Sequence, residues 1–113
     1  MSDPDKAGRH FPQRIRSLAP FDGPFDAYRL AADQCEVLFA SYTAGTAIPA
    51  HTHETENYGV ITEGELILTA GGEERRYRPG DWYHLAAGEK HSARFESDTS
   101  EIEFWFRPKG ASG

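Results

Sequence analysis

Three histidines stand at positions from which their side chains could meet at one point. His51 and His53 are separated by one residue, so on an extended segment both imidazole rings point to the same face. His91 opens a later apolar run, directly after a glycine-containing turn. Imidazole nitrogens bind zinc, copper, iron and nickel, and three such ligands leave coordination positions free for water or a substrate. This combination predicts a site for one divalent metal ion.

A bare His-x-His pair also arises easily by chance, with both rings half-exposed on a strand and His91 unrelated to them. The surrounding residues favour the metal site over that alternative. Gly45 and Gly64 bracket the pair, and Pro49 stiffens the approach to it. A second hairpin, punctuated by glycine and proline, leads to the third histidine. We therefore interpret the three histidines as one metal-ligating set.

The elements that must position these residues are short strands. Apolar or aromatic runs recur about every 8–12 residues between turn signals, a pattern typical of an all-β sandwich or barrel. No window has a convincing helical period. In the last run Ile102, Phe104 and Phe106 share one face. Glu101 and Glu103 share the other face. The predicted strands cover residues 36–42, 57–62, 65–70, 74–78, 82–85, 91–96 and 101–106.

The chain divides into an arm, a barrel and a short tail. Residues 1–25 are predicted to form an N-terminal arm, partly disordered, because the first part is polar and the rest mixes prolines with phenylalanines. Proline removes a backbone donor and restricts its neighbour, so we expect no helix over 11–25. The barrel should span 26–108, followed by a disordered tail at 109–113. The arm is too apolar to remain free in water, which favours packing on a second subunit in a homodimer.

Composition and charge exclude several classes of protein. With 113 residues and a formal net charge of −6, the chain fits one domain and has no run of Lys and Arg. This argues against nucleic-acid and anionic-membrane partners. The chain contains no apolar segment of the roughly 18 residues that a membrane span needs, and no apolar core of a signal peptide. Its single cysteine, Cys35, cannot form an intramolecular disulfide. We therefore expect a cytoplasmic protein.

Two stretches of the sequence resemble the motifs of the cupin superfamily, and in particular its small single-domain members. The landmarks that match the first motif in spacing are Gly45, His51, His53, Asn57 and Gly64. Those that match the second are Gly80, Gly88 and His91. The motifs cover residues 45–95, and the flanking strands extend the likeness to 26–106. The resemblance implies a double-stranded β-helix, a jelly-roll barrel with a metal ion inside its mouth, held by the three histidines.

Asn57 departs from the family pattern, which usually has a glutamate at this position. Its amide oxygen can bind a metal, although more weakly than a carboxylate does. Three interpretations stay open: Asn57 is a fourth, weak ligand, it hydrogen-bonds to water beside the metal, or it marks a site that has lost its metal. We favour the first two, and Asn57 joins the histidines as a candidate metal residue. By strand parity Glu54 and Glu56 point away from this set.

The resemblance implies a metal-binding cupin, for which two functions are candidates. The first is an enzyme, dioxygenase-, isomerase- or lyase-like, with Fe, Mn, Zn or Ni as its ion and with catalytic residues unknown. Neutral imidazoles and an amide leave the charge of the ion uncompensated, which favours a small polar or anionic substrate. The alternative is a non-catalytic cupin that binds or senses a small molecule. His84 is interpreted as a hydrogen-bonded strand residue packed beside Trp82, rather than as a proton donor facing the pocket.

Overall fold

Short strands make up most of the chain in the computed structural model, which describes residues 11–21, 23 and 25–107. The helix α1 covers Gln13–Arg16. The strands are β1 (Ala19–Pro20), β2 (Asp26–Ala32), β3 (Cys35–Tyr42), β4 (Ala47–His51), β5 (Glu56–Glu63), β6 (Leu66–Ala70), β7 (Glu73–Tyr77), β8 (Trp82–Leu85), β9 (His91–Arg94) and β10 (Thr99–Phe106). The all-β prediction is confirmed. Within the described residues, no helix has the length and apolar character that crossing a membrane requires.

The strands form two antiparallel sheets. The larger has the order β1-β2-β3-β10-β5-β8, and the smaller has the order β4-β9-β6-β7. Neighbouring strands are often distant in the sequence, since β10 lies between β3 and β5 and β9 lies between β4 and β6. A chain that crosses repeatedly between two sheets in this way forms a jelly-roll barrel, as the sequence predicts.

The core lies between the two sheets. Successive side chains of a strand point to opposite faces, so each strand sends every second side chain inward. These inward side chains form one buried cluster that draws on both sheets and on the segment after β9. Its members are Ala27, Leu38, Ala40, Tyr42, Ile61, Leu66, Leu68, Leu85 and Phe95.

The orientation of β10 is opposite to the one that hydrophobicity alone favours. Glu101 and Glu103 face the barrel interior and are only 1% and 5% exposed, whereas Phe106 on the other face is 38% exposed. The register explains this orientation. Glu103 is paired with Leu38 of β3 and Glu101 with Ala40, and both partners belong to the core. Since cross-strand partners project to the same face of a sheet, the two glutamates point inward with them.

The arm packs on its own barrel where the structure describes it. Gln13–Arg16 form one helical turn, so the prediction that residues 11–25 contain no helix is wrong. The turn follows Pro12, where a missing N–H removes no hydrogen bond that the helix needs. Phe11 is buried and meets the ring of Phe39 edge-on, with the ring centroids 5.7 Å apart.

The arm also adds a short strand to the larger sheet. Pro20 of β1 is paired with Tyr28 of β2, so the sheet begins before residue 26, where the barrel was expected to start. The segments 1–10 and 109–113, which were predicted to be disordered, lie outside the described residues. Their disorder stays a prediction.

Candidate metal centre

The structure brings the imidazole rings of the three predicted ligands together inside the barrel. His51 is the last residue of β4 and His91 the first of β9, and the two are register partners in the ladder between these strands. His53 follows on the segment after β4. The amide N–H of Gly88 donates to the carbonyl of His53 at 2.8 Å, which ties this segment to the turn that precedes β9.

Backbone carbonyls fix the orientation of two of the rings. The Nδ1 atom of His51 lies 2.8 Å from the carbonyl oxygen of Pro49, and that of His91 lies 3.0 Å from the carbonyl oxygen of Glu89. A carbonyl oxygen can only accept a hydrogen bond, so Nδ1 carries the proton in both rings. The lone pair of each ring is therefore on Nε2, and this arrangement is typical of metal-binding histidines.

The ring nitrogens are spaced as the ligands of a single ion are. The Nε2 atoms of His51 and His53 are 3.1 Å apart. One ligand nitrogen from each of the three rings lies within 4.8 Å of the other two. Two nitrogens at about 2.1 Å from the same ion, bound at right angles, lie about 3 Å apart. A divalent ion therefore fits this donor set, with His51, His53 and His91 as the residues that would hold it.

Burial keeps two of the rings in the neutral form that binds metals. Burial, together with the neighbouring rings of His51 and His91, lowers the pKa of His53 to about 4. Burial also lowers the pKa of His91, although the hydrogen bond to the carbonyl of Glu89 acts in the opposite direction. Both rings are therefore neutral near pH 7.

Asn57 lies on β5, is 5% exposed, and lines the same cavity as the histidines. Its register partners are Leu85 on β8 and Trp105 on β10. The hydroxyl group of Thr55 donates to Asn57 Oδ1 at 2.6 Å. This hydrogen bond uses one of the two acceptor positions of the amide oxygen and leaves the other free. The amide can therefore still offer its oxygen to an ion or to a water molecule.

The cavity that contains the histidines has a volume of about 620 Å³. Ligand pockets commonly measure roughly 300–1,000 Å³, so a small molecule fits inside it. Apart from the histidines and Asn57, the walls are largely apolar and aromatic. They include Phe21, Phe25, Tyr42, Ile48, Leu66, Leu68, Leu85, Phe95 and Trp105.

The same cavity contains a carboxyl pair that the sequence reasoning did not identify as functional. The hydroxyl group of Tyr42 donates to Glu103 Oε2 at 2.5 Å, and that of Tyr83 donates to Glu101. Trp105 Nε1 donates to Glu103 Oε1 at 2.9 Å. Burial raises the pKa of both carboxyl groups, and the charge of Glu103 raises that of Glu101 further. The sequence signal that could have indicated this pair is two acidic residues that alternate with apolar residues on one strand.

One glycine makes this arrangement possible. Gly59 on β5 is paired with Glu103 on β10 and with Tyr83 on β8. A Cβ atom at Gly59 would clash with the ring of Tyr83. Without that side chain, the Tyr83 ring lies over β5 and its hydroxyl group reaches Glu101 on the far side.

The remaining candidates lie outside the cavity. Glu54 and Glu56 are exposed, as strand parity predicts. His84 is on the outer face of the larger sheet, where its Nε2 atom lies 2.7 Å from a carboxylate oxygen of Glu56 and its ring packs near Tyr58. His84 is thus a hydrogen-bonded strand residue, as expected, but its aromatic neighbour is Tyr58 and not Trp82.

Comparison with protein families and with curated proteins gives one clear family. Residues 38–106 match the model of the cupin domain. Over 75 residues the chain is 32% identical to quercetin 2,3-dioxygenase of Bacillus subtilis (strain 168). This match covers 66% of the chain and only 22% of the length of that relative.

Solved structures have the same barrel. KdgF from a Halomonas species matches with a TM-score of 0.71 and 20% identity, over 88% of this chain and 94% of that one. An RmlC-like cupin from Shewanella frigidimarina matches with a TM-score of 0.74 and 16% identity, over 92% and 96% of the two chains. At these identities the likeness concerns the fold alone. It confirms the predicted jelly-roll barrel.

Proposed function

Because residues 38–106 match the cupin domain, the chain belongs to the cupin family, and we propose that it is a metalloenzyme acting on a small polar or anionic molecule. The observation that carries this proposal is the convergence of three imidazole rings on a cavity of ligand size. The family and the three-histidine group support a metal-binding cupin. The reaction class, dioxygenase-, isomerase- or lyase-like, belongs to the proposal.

In this proposal the site holds one divalent ion, which is Fe, Mn, Zn or Ni. Its ligands are His51, His53 and His91, with Asn57 as a fourth ligand or as the hydrogen-bond partner of a water molecule at the site. Such an ion supplies Lewis-acid polarisation of a bound oxygen atom, or redox chemistry where the metal is iron or manganese. The protein orients the rings through backbone carbonyls, and its apolar walls limit access of water.

The charge and shape of the cavity define the ligand class. Three neutral imidazoles and an amide leave a dication uncompensated, so an oxyanion or thiolate that chelates it binds best. The rings of Tyr42 and Phe95, which line the same cavity, are stacked with centroids 4.2 Å apart. We therefore expect a small, flat molecule with one anionic end.

The test begins with metal analysis of protein purified without chelator or affinity metal. The protein is then loaded separately with each of the four ions, and oxygen uptake and product formation are measured with a small enolisable diketone, a thiol acid and quercetin. Quercetin is included because the curated relative is a quercetin 2,3-dioxygenase. A variant with both His51 and His53 replaced by Ala is the matched control. Turnover that requires the metal and is lost in this variant supports the proposal.

Two other results would count against it. If none of the four ions binds, the site is not a metal centre. If an ion and an anionic ligand bind but no substrate turns over, the chain is the non-catalytic binding or sensing module that the sequence left as the alternative.

We also propose a homodimer, on the outer face of the larger sheet. Two rows of large side chains cross the strands on this face. The register places Val60 next to Trp82 in one row and Phe104 next to Tyr58 in the other. Trp82 is 57% exposed and Leu30 is 45% exposed. An apolar surface of this kind on one sheet is a common protein interface. A second copy of the chain would cover it, and the arm, which packs on its own barrel, is not needed for this contact.

Cytoplasmic location and the lack of nucleic-acid or membrane partners remain predictions from the sequence.

A further inference from the structure

Glu101 and Glu103 are a buried acidic pair that no cation of the cavity neutralises. They occupy successive inward positions on β10 and are hydrogen-bonded to each other. None of the described residues that line the cavity is Lys or Arg. Burying carboxyl groups without a cationic partner is costly, and an apolar pair of similar size is usually at least as stable. The pair is therefore better explained by a ligand than by packing.

The hydrogen bonds assign the single charge of the pair to Glu103. The indole N–H of Trp105 can only donate, and it does so to Oε1 of Glu103. Tyr42 donates to the other oxygen, Oε2. Both oxygens of Glu103 thus accept hydrogen bonds, which favours the carboxylate form of this residue. Two carboxyl groups in contact hold one proton between them, so the proton is on Glu101, which donates it to Glu103.

Glu103 retains room for one more donor. A carboxylate has about four acceptor positions. Tyr42, Trp105 and Glu101 use three of those on Glu103. Because Glu103 also lines the cavity, a donor on a bound molecule can reach the position that is left.

Glu103 lies one inward position farther along β10 than the residue beside the metal centre, and Glu101 lies two positions farther. Trp105 is the register partner of Asn57, and its ring centroid is 4.5 Å from that of His53. Glu103 is the preceding inward residue on the same strand, and inward positions on a strand are about 7 Å apart. A single aromatic ring with substituents at opposite ends is about as long as this spacing between two inward positions.

We propose that Glu101 and Glu103 form a second polar subsite of the cavity, which binds a hydroxyl group at the far end of a flat ligand whose anionic end lies at the three histidines. The hydroxyl group donates to the Glu103 carboxylate, Glu101 keeps its proton, and no covalent step is involved. The inference rests on the proposed function only for the position of the anionic end.

The test uses two probes that differ by one hydroxyl group. Salicylate carries a chelating end alone, and 2,4-dihydroxybenzoate adds a hydroxyl group at the opposite end of the ring. Their affinities for the zinc-loaded protein are measured by calorimetry, since zinc has no redox chemistry. A hydrogen bond to a charged group contributes about 1.5–3 kcal/mol, so the added hydroxyl should tighten binding roughly 10- to 100-fold.

Three variants locate the effect. In Glu103→Gln the single amide oxygen replaces only one of the two oxygens that accept from Trp105 and Tyr42, and the negative charge is lost. The gain from the hydroxyl should therefore disappear, while salicylate still binds. Glu101→Gln should keep the gain, because an amide N–H can donate to Glu103 as the protonated acid does. Glu73→Gln, at an exposed position on β7, is the matched control and should change neither affinity.

Each remaining outcome also decides the matter. Equal affinities of the two probes, or a gain that persists in a folded Glu103→Gln protein, overturn the subsite. If Glu103→Gln does not fold, infrared spectra of the wild type decide instead. The carboxylic acid band that Glu101→Gln removes should shift with 2,4-dihydroxybenzoate and not with salicylate, and an unchanged band overturns the subsite.

Failure of the proposed function gives a different pattern. If salicylate does not bind the zinc-loaded protein, the metal-bound end of the model ligand is wrong. Phenol and benzene then replace the two acids. Tighter binding of phenol that is lost in Glu103→Gln supports the subsite, and equal binding of the two refutes it.

Discussion

His51 and His91 are direct partners across the ladder between β4 and β9, so the backbone register of one strand pair sets the spacing of two of the three imidazoles. The third ring, on His53, depends on the short segment after β4, which one backbone hydrogen bond ties to the turn before β9. Two of the proposed ligands are therefore fixed by sheet geometry, and one is fixed by a loop contact. These backbone constraints hold the rings in place, which lowers the entropic cost of binding an ion.

Replacing His91 with Ala should reduce bound metal to near background, because it removes one of three nitrogens from a site whose remaining ligands are neutral. The barrel should survive, since the side chain of His91 is not part of the core cluster. Elemental analysis and circular dichroism are measured on the same preparation. His84→Ala, on the outer face of the larger sheet, is the control and should keep the metal content of the wild type. A folded His91→Ala protein with full metal stoichiometry would contradict the assignment.

Asn57→Glu should tighten metal binding, roughly tenfold, and weaken anionic ligands. A carboxylate is a stronger partner for a cation than a neutral amide, and it reduces the charge that attracts an anion. The hydroxyl group of Thr55, which lies 2.6 Å from Asn57 Oδ1, can donate equally well to the new carboxylate, so the local hydrogen bond is kept. Metal titration of both proteins, followed by calorimetry with a hydroxy acid, measures the two affinities.

The outcomes of that experiment separate two positions for Asn57. If both affinities are unchanged, the side chain lies too far from the ion to influence it. If the metal binds more weakly, the carboxylate is held away from the ion or disturbs the barrel, and the electrostatic argument fails.

The sequence predicts the strands well where glycine-containing turns separate them. β8 was expected at residues 82–85 and runs from Trp82 to Leu85, and the convergence of His51 and His53 follows from parity alone. β4 was not predicted. It contains Pro49 and is only partly buried, so it lacks the alternation of apolar and polar residues that marks a strand.

What the sequence could not predict depends on contacts between distant segments. The inward orientation of Glu101 is set by its register with Ala40, which no local pattern encodes. Hydrophobicity points the other way, since Phe104 and Phe106 occupy the opposite face of the strand. The hydrogen bonds that make the burial of two acids tolerable come from tyrosines on β3 and β8, and only the folded sheet brings these strands next to β10. The carboxyl pair was therefore beyond sequence reasoning.

Glu101→Gln should make the protein more stable at alkaline pH and leave its stability unchanged in acid. Burial and the charge of Glu103 raise the pKa of Glu101 well above its usual range. The folded state then holds a proton that the unfolded state releases as the pH rises above about 4.5, so the free energy of unfolding of the wild type falls with rising pH. A glutamine has no proton to release, which removes this dependence.

The measurement is urea denaturation of both proteins at pH 4, 6 and 8. Each unit by which the pKa is raised is equivalent to about 1.4 kcal/mol of stability. Glu73→Gln, an exposed position, should follow the wild type at all three values of pH. Identical pH dependence in wild type and Glu101→Gln would show that Glu101 is ionised in the folded protein.

Trp82→Glu should dissociate the proposed homodimer. Trp82 is 57% exposed in the single chain, stacks on Phe104 with centroids 5.9 Å apart, and lies beside Val60 in one of the two apolar rows. A large aromatic residue at the centre of an interface commonly contributes 2 kcal/mol or more, so the dissociation constant should rise roughly 30-fold or more. Light scattering over a range of concentrations measures it. Ala87→Glu, which adds the same charge at an exposed turn outside the sheet, should leave the dimer intact. A wild-type protein that is monomeric at every concentration, or a dimer that Trp82→Glu does not weaken, would rule out this face as the interface.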